Sequence, residues 1–358
     1  MFYRLEPRGE RSLFWSYGSP VLAVLLTVLT MMLIFALLGK PPVTGIETFL
    51  IQPIRSITGV SALFVRAAPL IMIGVGLALC YRANVWNIGA DGQFTMGALA
   101  GGGLALALPH AAFWWSYPLV LVLGVCGGMA WSGLVAWLKL KFNANEILTS
   151  LMLVYVAHLI LVWLVSGPWR DPQGFGFPQS AMFGPGVTTP TFGATSIHLG
   201  CLLAPLLALV IWQILARSVL GFQLRVVGQA PRAARYAGFS NTKLTWIALL
   251  VSGGLSGLAG IIEVTGPIGQ LTSSITPGYG FSAVIVAFLG RLHPVGVIFA
   301  GLLLALSYLG GAAAQISLNM PNAITGIFQG VLLFYLLGAD VLILHRIRRV
   351  RGRMAGAA

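Results

Sequence analysis

The feature that most constrains this chain is a series of apolar segments, each long enough to cross a lipid bilayer. The run Val21–Leu38 contains no charged residue across 18 positions, which is near the minimum needed to span the hydrocarbon core of a membrane. Hydrophobic residues make up 58% of the chain and charged residues only 8%, so little polar surface is left to cover a soluble core. We therefore predict an all-α polytopic membrane protein.

Ten apolar segments can be placed along the sequence, at about 20–39, 64–81, 91–108, 117–138, 146–166, 198–216, 244–264, 276–290, 294–312 and 323–344. The third begins in a polar stretch, NVWNIGADGQFTMGA (84–98), and the eighth follows a stretch rich in Gly, Pro and Ser at 266–282. Because polar and helix-breaking residues rarely occur inside a complete span, we expect broken or re-entrant helices at these two places.

The positions of the cations predict the orientation of the spans. An even number of spans puts both termini on one side of the membrane. If that side is cytoplasmic, all 21 Lys and Arg residues lie in inside segments except Lys40, Arg55, Arg66 and Arg170, as the positive-inside rule requires. The net charge of +13 therefore reflects topology, and no nucleic acid is needed to explain it.

This orientation predicts one transmembrane domain over residues 1–358. It has a cytoplasmic N-terminal segment at 1–19, a cytoplasmic loop at 217–243 and a basic cytoplasmic tail at 345–358.

The cytoplasmic loop 217–243 is predicted to contain a short helix. Pro231 suits the first turn of that helix, and Gly238 suits its end. The helix carries arginines on one face and small side chains beside them, a surface that could dock in a groove of another protein. These residues are Arg232, Arg235, Ala233, Ala234 and Ala237. The alternative is a solvated loop whose arginines only fix the topology.

No catalytic or metal site is predicted. The five His residues are scattered without the spacing of metal ligands, and the three Cys residues form no CxxC pair. No Ser/His/Asp or Cys/His arrangement can be assembled, so we do not predict an enzyme. The chain also lacks the GxxxxGK[ST] phosphate loop, so any ATP hydrolysis would belong to a separate chain.

Five stretches, in order along the chain, resemble one family. They are NVWNIGADGQFTMGA (84–98), NEILTSLMLVYVA (145–157), GQAPRAARYAGFS (228–240), GYGFSAVIVAFLGRLHPVGV (278–297) and IFQGVLLFYLLGADV (327–341). Together they are similar to permease subunits of bacterial ABC importers, in the branch for nucleosides, simple sugars and branched-chain amino acids. The likeness is greatest to permeases that work with purine-nucleoside-binding lipoproteins of the basic-membrane-protein type. It covers about residues 60–345, and Asp91 departs from the glutamate expected there.

The resemblance implies the type II importer fold, with both termini cytoplasmic, in the bacterial cytoplasmic (inner) membrane. It implies several partners: a second permease subunit, which is a paralogue, ABC ATPase subunits, an external substrate-binding lipoprotein, and membrane lipid. No cofactor is expected in this chain, because ATP is used by the partner ATPase. The loop becomes a coupling loop to that ATPase, formed by Gly228, Pro231, Arg232, Ala233, Ala234, Arg235, Ala237 and Gly238.

The function implied is ATP-driven import of nucleosides, with purine nucleosides first, by alternating access. A ribose-type simple-sugar permease is the alternative within the class. An ion-coupled secondary transporter and a structural subunit without a pathway are alternatives outside it. An ion-coupled transporter should show paired ionisable groups at mid-membrane, and this sequence offers essentially Asp91 alone.

Polar side chains within the spans are the candidates for the pathway. A carboxyl group inside a span must face a cavity, a partner or a helix end. For Asp91 we expect a cap on the start of its own helix, with direct cargo contact as the alternative. Asn87 and Gln93 are candidates for lining the pathway, and Glu263 is a candidate for an outer gate or a contact with the binding protein.

Overall fold

The computed structural model describes residues 2–7, 13–108, 113–192 and 195–350. The remaining parts of the predicted N-terminal segment and of the tail, residues 1, 8–12 and 351–358, lie outside the described residues. Within the described ranges the α-helices are α1 (Leu13–Leu37), α2 (Pro42–Ile46), α3 (Ile57–Arg82), α4 (Ala90–Ala107), α5 (Ser116–Phe142), α6 (Glu146–Ser166), α7 (Leu199–Arg217), α8 (Val219–Gln229), α9 (Pro231–Tyr236), α10 (Asn241–Glu263), α11 (Tyr279–Leu289), α12 (Pro294–Leu318) and α13 (Ile324–Leu344). Two strands, β1 (Phe2–Pro7) and β2 (His345–Val350), pair antiparallel.

Eight of the described helices are long and apolar enough to cross a membrane: α1, α3, α5, α6, α7, α10, α12 and α13. The two segments that the sequence marked as interrupted are different. Helix α4 has 18 residues but carries two polar side chains in its first turn. Helix α11 has only 11 residues, about 16 Å, which is half the thickness of a bilayer core. The prediction of a polytopic membrane protein built from helices is confirmed, and α4 and α11 are the two short or interrupted helices that the sequence led us to expect. The pairing of β1 with β2 was not predicted, and the number of ten spans stays a prediction.

By its internal contacts the chain divides into two compact units, with one boundary between Pro53 and Ile54 and the other inside α12. The first unit contains the described residues of Met1–Pro53 and Ser307–Ala358. In it α1 packs on α13, where the hydroxyl groups of Thr30 and Tyr335 lie 2.8 Å apart. The pairing of β1 with β2 brings residues 2–7 and 345–350 to one side of this unit. That this side is cytoplasmic remains a prediction from the charge pattern.

The second unit, Ile54–Leu306, is built around α3, α4, α5 and α10. Its core helices approach through small residues, because a Cβ added at Gly97 would overlap the backbone of Gly257. A Cβ at Gly128 would meet the same glycine at 2.7 Å. These helices therefore pack closely against one another through glycines, as membrane helices commonly do.

The loop between α6 and α7 lies along the segment that follows α10. Helix α10 continues into a π-helical turn, Val264–Ile268, and ends at Gly269, whose φ is +76°. Backbone N–H groups of the loop donate to carbonyl oxygens of this segment: Ser180 to Leu271 at 2.8 Å, and Phe183 to Gly269 at 2.9 Å. These bonds hold the chain in place where it turns back towards α11.

Candidate functional site

The segment between α3 and α4 carries Asn87, whose side chain is fully buried. Its amide forms a reciprocal pair with the buried amide of Gln93: Asn87 Nδ2 donates to Gln93 Oε1 at 3.0 Å, and Gln93 Nε2 donates to Asn87 Oδ1 at 2.9 Å. Asn87 Nδ2 also donates to Ser252 Oγ of α10 at 3.0 Å. The pair is thus satisfied internally, and its role in lining a pathway stays a prediction.

Ser252 also shows how deep this segment lies. It is eleven residues beyond the first residue of α10, about 16 Å along the helix. The contact with Asn87 therefore places the start of α4 well inside the length of a spanning helix. Gly76 of α3 packs at the same level, because a Cβ there would lie 3.0 Å from the Cα of Ser252. Helix α4 begins inside the bundle, as a discontinuous helix does.

Asp91 caps a different helix from the one predicted. Gly89 is the N-cap residue of α4, which has no side-chain cap, so the expectation that Asp91 caps its own helix is wrong. Its carboxyl oxygen instead accepts the backbone N–H of Gly280, in the first turn of α11, at 2.8 Å. Thr276 Oγ1 donates to the same oxygen at 3.1 Å. The reason is geometric: a Cβ on Gly280 would overlap the backbone of Asp91, so the two helix starts touch.

Glu263 lies at the other side of the α11 start. It is the last residue of α10 and is 4% exposed. The phenol of Tyr279, the first residue of α11, lies near its carboxyl group. The Tyr279 ring is fully buried, and its oxygen accepts from Arg66 Nη1 at 2.6 Å. The structure therefore brings Asp91 and Glu263 to neighbouring residues of one helix turn.

Several residues of this site were not identified from the sequence. Thr276 Oγ1 accepts the backbone N–H groups of Gly278 and Tyr279, both at 3.0 Å, and so supplies a cap for α11. Ser252 of α10 accepts from Asn87, and Arg66 of α3 donates to Tyr279. The Gly-, Pro- and Ser-rich stretch at 266–282 was an indirect sequence signal for Thr276, and it does not include Ser252 or Arg66.

The loop 217–243, which is predicted to couple to an ATPase, contains a short helix close to the predicted one. Pro231 is the first residue of α9, and Gly238 ends the turn with φ +77°, where its N–H donates to the carbonyl oxygen of Arg235 at 3.1 Å. The prediction of small exposed side chains needs one correction: Ala234 is only 1% exposed and packs inward. Tyr236, which the sequence did not single out, is 94% exposed. The remaining predicted residues of α9 and the turn after it are exposed: Arg232, Ala233, Arg235 and Ala237.

Gly228 connects this loop to the membrane helices. A Cβ on Gly228, near the end of α8, would overlap the carbonyl oxygen of Arg82 at the end of α3. The chain after Arg82 is the segment that carries Asn87. The loop 217–243 therefore contacts the end of α3, and the chain runs on from there to the start of α4.

Among the described residues no group of three or more His, Cys, Asp or Glu side chains could hold a metal ion.

Helices that begin inside a bundle, with polar side chains at their starts, are typical of membrane transport proteins. The fold and the site therefore indicate this class. Comparison with known proteins gives the family. The family model described as "Branched-chain amino acid transport system / permease component" matches residues 59–337, so the chain belongs to this family. It is a multi-pass membrane protein and an ABC transporter permease, a transport subunit rather than an enzyme. The resemblance stated from the sequence is confirmed.

Individual relatives support this assignment. The glucose ABC transporter permease protein TsgB13 of Haloferax volcanii is 32% identical over 96% of this chain and 93% of its own. The guanosine ABC transporter permease protein NupP of Bacillus subtilis is 27% identical, over 94% of this chain and 95% of its own. A second guanosine permease protein of that organism, NupQ, is 28% identical over 79% of this chain and 88% of its own.

Proposed function

We propose that this chain forms one half of the translocation pathway of an ATP-driven nucleoside importer in a bacterial cytoplasmic membrane. The observation that carries the pathway is the contact between the starts of α4 and α11, with Asp91 bonded to Gly280. Where helices begin inside a bundle, their N–H groups and flanking polar side chains provide a polar surface at membrane depth. The guanosine permease relatives NupP and NupQ support the cargo.

The proposed partners follow from the same family. The chain matches both NupP and NupQ. The match to NupP covers 94% of this chain, and the match to NupQ covers 79% of it. This supports pairing with a paralogue rather than with a second copy. An ABC ATPase on the cytoplasmic side and an external substrate-binding lipoprotein complete the proposed complex. ATP is bound and used by the ATPase, and this chain needs no cofactor of its own.

The proposed coupling route begins at α9. The ATPase docks on the exposed residues of α9, and Tyr236 is the largest of the exposed side chains there. Motion of α9 passes to α8, whose Gly228 lies against the end of α3 at Arg82. The next residues lead to Asn87 and the start of α4, where Asp91 holds α11. Closure of the ATPase would thus shift both helix starts together and alternate the access to the pathway.

A simple sugar is the second candidate cargo. The observation that favours it is TsgB13, a glucose permease protein that is 32% identical over almost the whole chain. Nucleosides and simple sugars share neutral, hydroxyl-rich groups, so one polar but nearly uncharged pathway suits both. The binding protein, not the permease, is expected to make most of the choice between them.

A ligand panel tests the cargo. The cognate binding lipoprotein is titrated with guanosine, adenosine, guanine, ribose and glucose, and the complex is then reconstituted for uptake of each bound compound. We expect guanosine or adenosine to bind most tightly and to be transported. Tight binding and uptake of glucose or ribose, with no response to nucleosides, would replace the nucleoside assignment with the sugar assignment.

A further inference from the structure

Arg66 is an exposed cation inside a membrane-spanning helix. It lies nine residues after the first residue of α3, about 13 Å along the helix axis. Its side chain is exposed, whereas Ala67 and Ala68 beside it are each 1% exposed. Charged side chains within spans face the bundle interior or a water-filled cavity, because contact with lipid is costly. The exposed surface at Arg66 is therefore expected to be wet.

The guanidinium group is held from inside the protein. Arg66 Nη1 donates to the phenol oxygen of Tyr279 at 2.6 Å, and the carboxyl group of Glu263 lies near both the guanidinium group and the phenol. A phenol oxygen that accepts this bond keeps its own O–H to donate to an acceptor such as a carboxylate, so the three groups are chemically compatible neighbours. Tyr279 and Glu263 are both buried. Arg66 is thus drawn towards α11 rather than outwards along the helix to a membrane surface.

The anchor lies at the start of the broken helix. Tyr279 is the first residue of α11, and the next residue, Gly280, is the one bonded to Asp91. The exposed cation of α3 is therefore tied to the same helix turn that joins α4 to α11. A wet surface at this turn, in a chain that forms a translocation pathway, belongs to the pathway wall.

We propose that Arg66 is a cargo-contacting residue of the pathway, held in place by Tyr279 and Glu263. A guanidinium group has only donors, so it selects cargo that presents hydroxyl or carbonyl oxygens, and its charge disfavours cationic cargo. Tyr279 and Glu263 are positioning residues that act through Arg66. This inference rests on the proposed transport function, but its first test measures accessibility and does not need transport.

The first test uses cysteine accessibility. Arg66→Cys is made together with Cys126→Ala, because Cys126 is the exposed member of the three free cysteines. A membrane-impermeant methanethiosulfonate is applied to the purified permease pair in liposomes. The control is Leu159→Cys on α6, a position that is 66% exposed on an apolar surface. We expect modification at least about tenfold faster at Arg66→Cys, as a wet site requires. Equal rates would place Arg66 against lipid and overturn the proposal.

The second test measures uptake of guanosine and of glucose by the full complex. Arg66→Met should lower the initial rate about tenfold, the effect of losing one charged hydrogen bond, and Arg66→Lys should restore part of it. Tyr279→Phe should give a smaller loss that disappears in the Arg66→Met background. Arg55→Met, an exposed arginine just before α3, is the control and should leave uptake unchanged. Wild-type uptake in the Arg66→Met variant would overturn the proposal.

The two hypotheses can fail separately. If the wild-type complex shows no ATP-dependent uptake of either compound, the proposed function fails, and the accessibility test still decides whether Arg66 faces water. If wild-type uptake is present and both Arg66 tests are negative, only this inference fails.

Discussion

Asp91, in the first turn of α4, accepts the backbone N–H of Gly280, in the first turn of α11, at 2.8 Å. The two residues are 189 positions apart in the sequence, and each belongs to a helix that begins inside the bundle. One side chain therefore fixes the relative position of the two broken helices. This makes Asp91 the cross-link on which the arrangement of the proposed pathway depends.

Removing this cross-link should destabilise the bundle. Asp91→Ala leaves the start of α11 without one of its acceptors and should cost about 1–2 kcal/mol, as the loss of a helix cap does. The measurement is the thermal midpoint of the purified protein in detergent. Asp171→Ala is the matched control, because Asp171 accepts the N–H of Gln173 at 3.0 Å in an exposed loop. An equal, small effect of both substitutions would show that Asp91 is not a structural cross-link.

Asn87 and Gln93 should behave as one unit. Either Asn87→Ala or Gln93→Ala leaves a buried amide group without its partner, which costs about 1–3 kcal/mol. The double variant should therefore be more stable than the sum of the two single losses predicts, by about 1 kcal/mol or more. Combining Asn87→Ala with Thr30→Ala, in the other unit, should give additive losses. Additivity of the Asn87 and Gln93 losses would refute the reciprocal pair.

Tyr236 should matter for the partner and not for the fold. It is 94% exposed on α9, so Tyr236→Ala should leave the thermal midpoint unchanged while weakening capture of the cognate ATPase about tenfold, as for an exposed aromatic anchor. Ala234→Leu should instead lower the thermal midpoint, because Ala234 is buried and extra volume there costs about 1–3 kcal/mol. Capture of the ATPase by the folded Ala234→Leu protein should stay unchanged. Undiminished ATPase capture by Tyr236→Ala would count against the proposed docking surface.

His198 predicts a dependence of stability on pH. It lies just before α7 and is 2% exposed, and its Nδ1 accepts the N–H of Gly200 at 3.1 Å. Burial lowers the pKa of His198 below its ordinary value of 6.5. As pH falls, His198 therefore binds a proton in the unfolded state before it does so in the folded state. The contribution of His198 to stability is thus complete above its ordinary pKa and is lost as pH falls below that value. Protonation would also turn the capping acceptor into a donor.

The test is the thermal midpoint measured from about pH 7 to about pH 5, where histidine titrates. It should fall in the wild type, and His198→Asn should flatten the change, because Asn also caps helices but does not titrate. His158→Asn, at an exposed position of α6, is the control. A wild-type midpoint that does not change over this range would contradict the role of His198.

Features that depend on local sequence were predictable. Hydrophobic runs identified the long spans, and the polar residues around Asp91 and the glycines before α11 identified the two interrupted ones. Pro231 and Gly238 bounded α9 because proline fits a first helical turn and glycine fits a left-handed ending.

The pairings across the bundle were not predictable. The bonds from Asp91 to Gly280 and from Arg66 to Tyr279 join residues 189 and 213 positions apart. Helical periodicity shows which residues share one helix but not which helices meet. For the same reason the sequence could assign Asp91 a capping role but gave it the wrong helix. It also could not show that Ala234 faces inwards.

Uptake by the reconstituted complex tests most directly whether this permease works in an ATP-driven importer. Proteoliposomes contain this chain, its paralogue and the ATPase, and guanosine-loaded binding protein is supplied outside with ATP inside. We predict that uptake stops when ATP hydrolysis is blocked with vanadate and continues when ionophores collapse the ion gradients. Uptake that survives vanadate and stops with the ionophores would contradict the account.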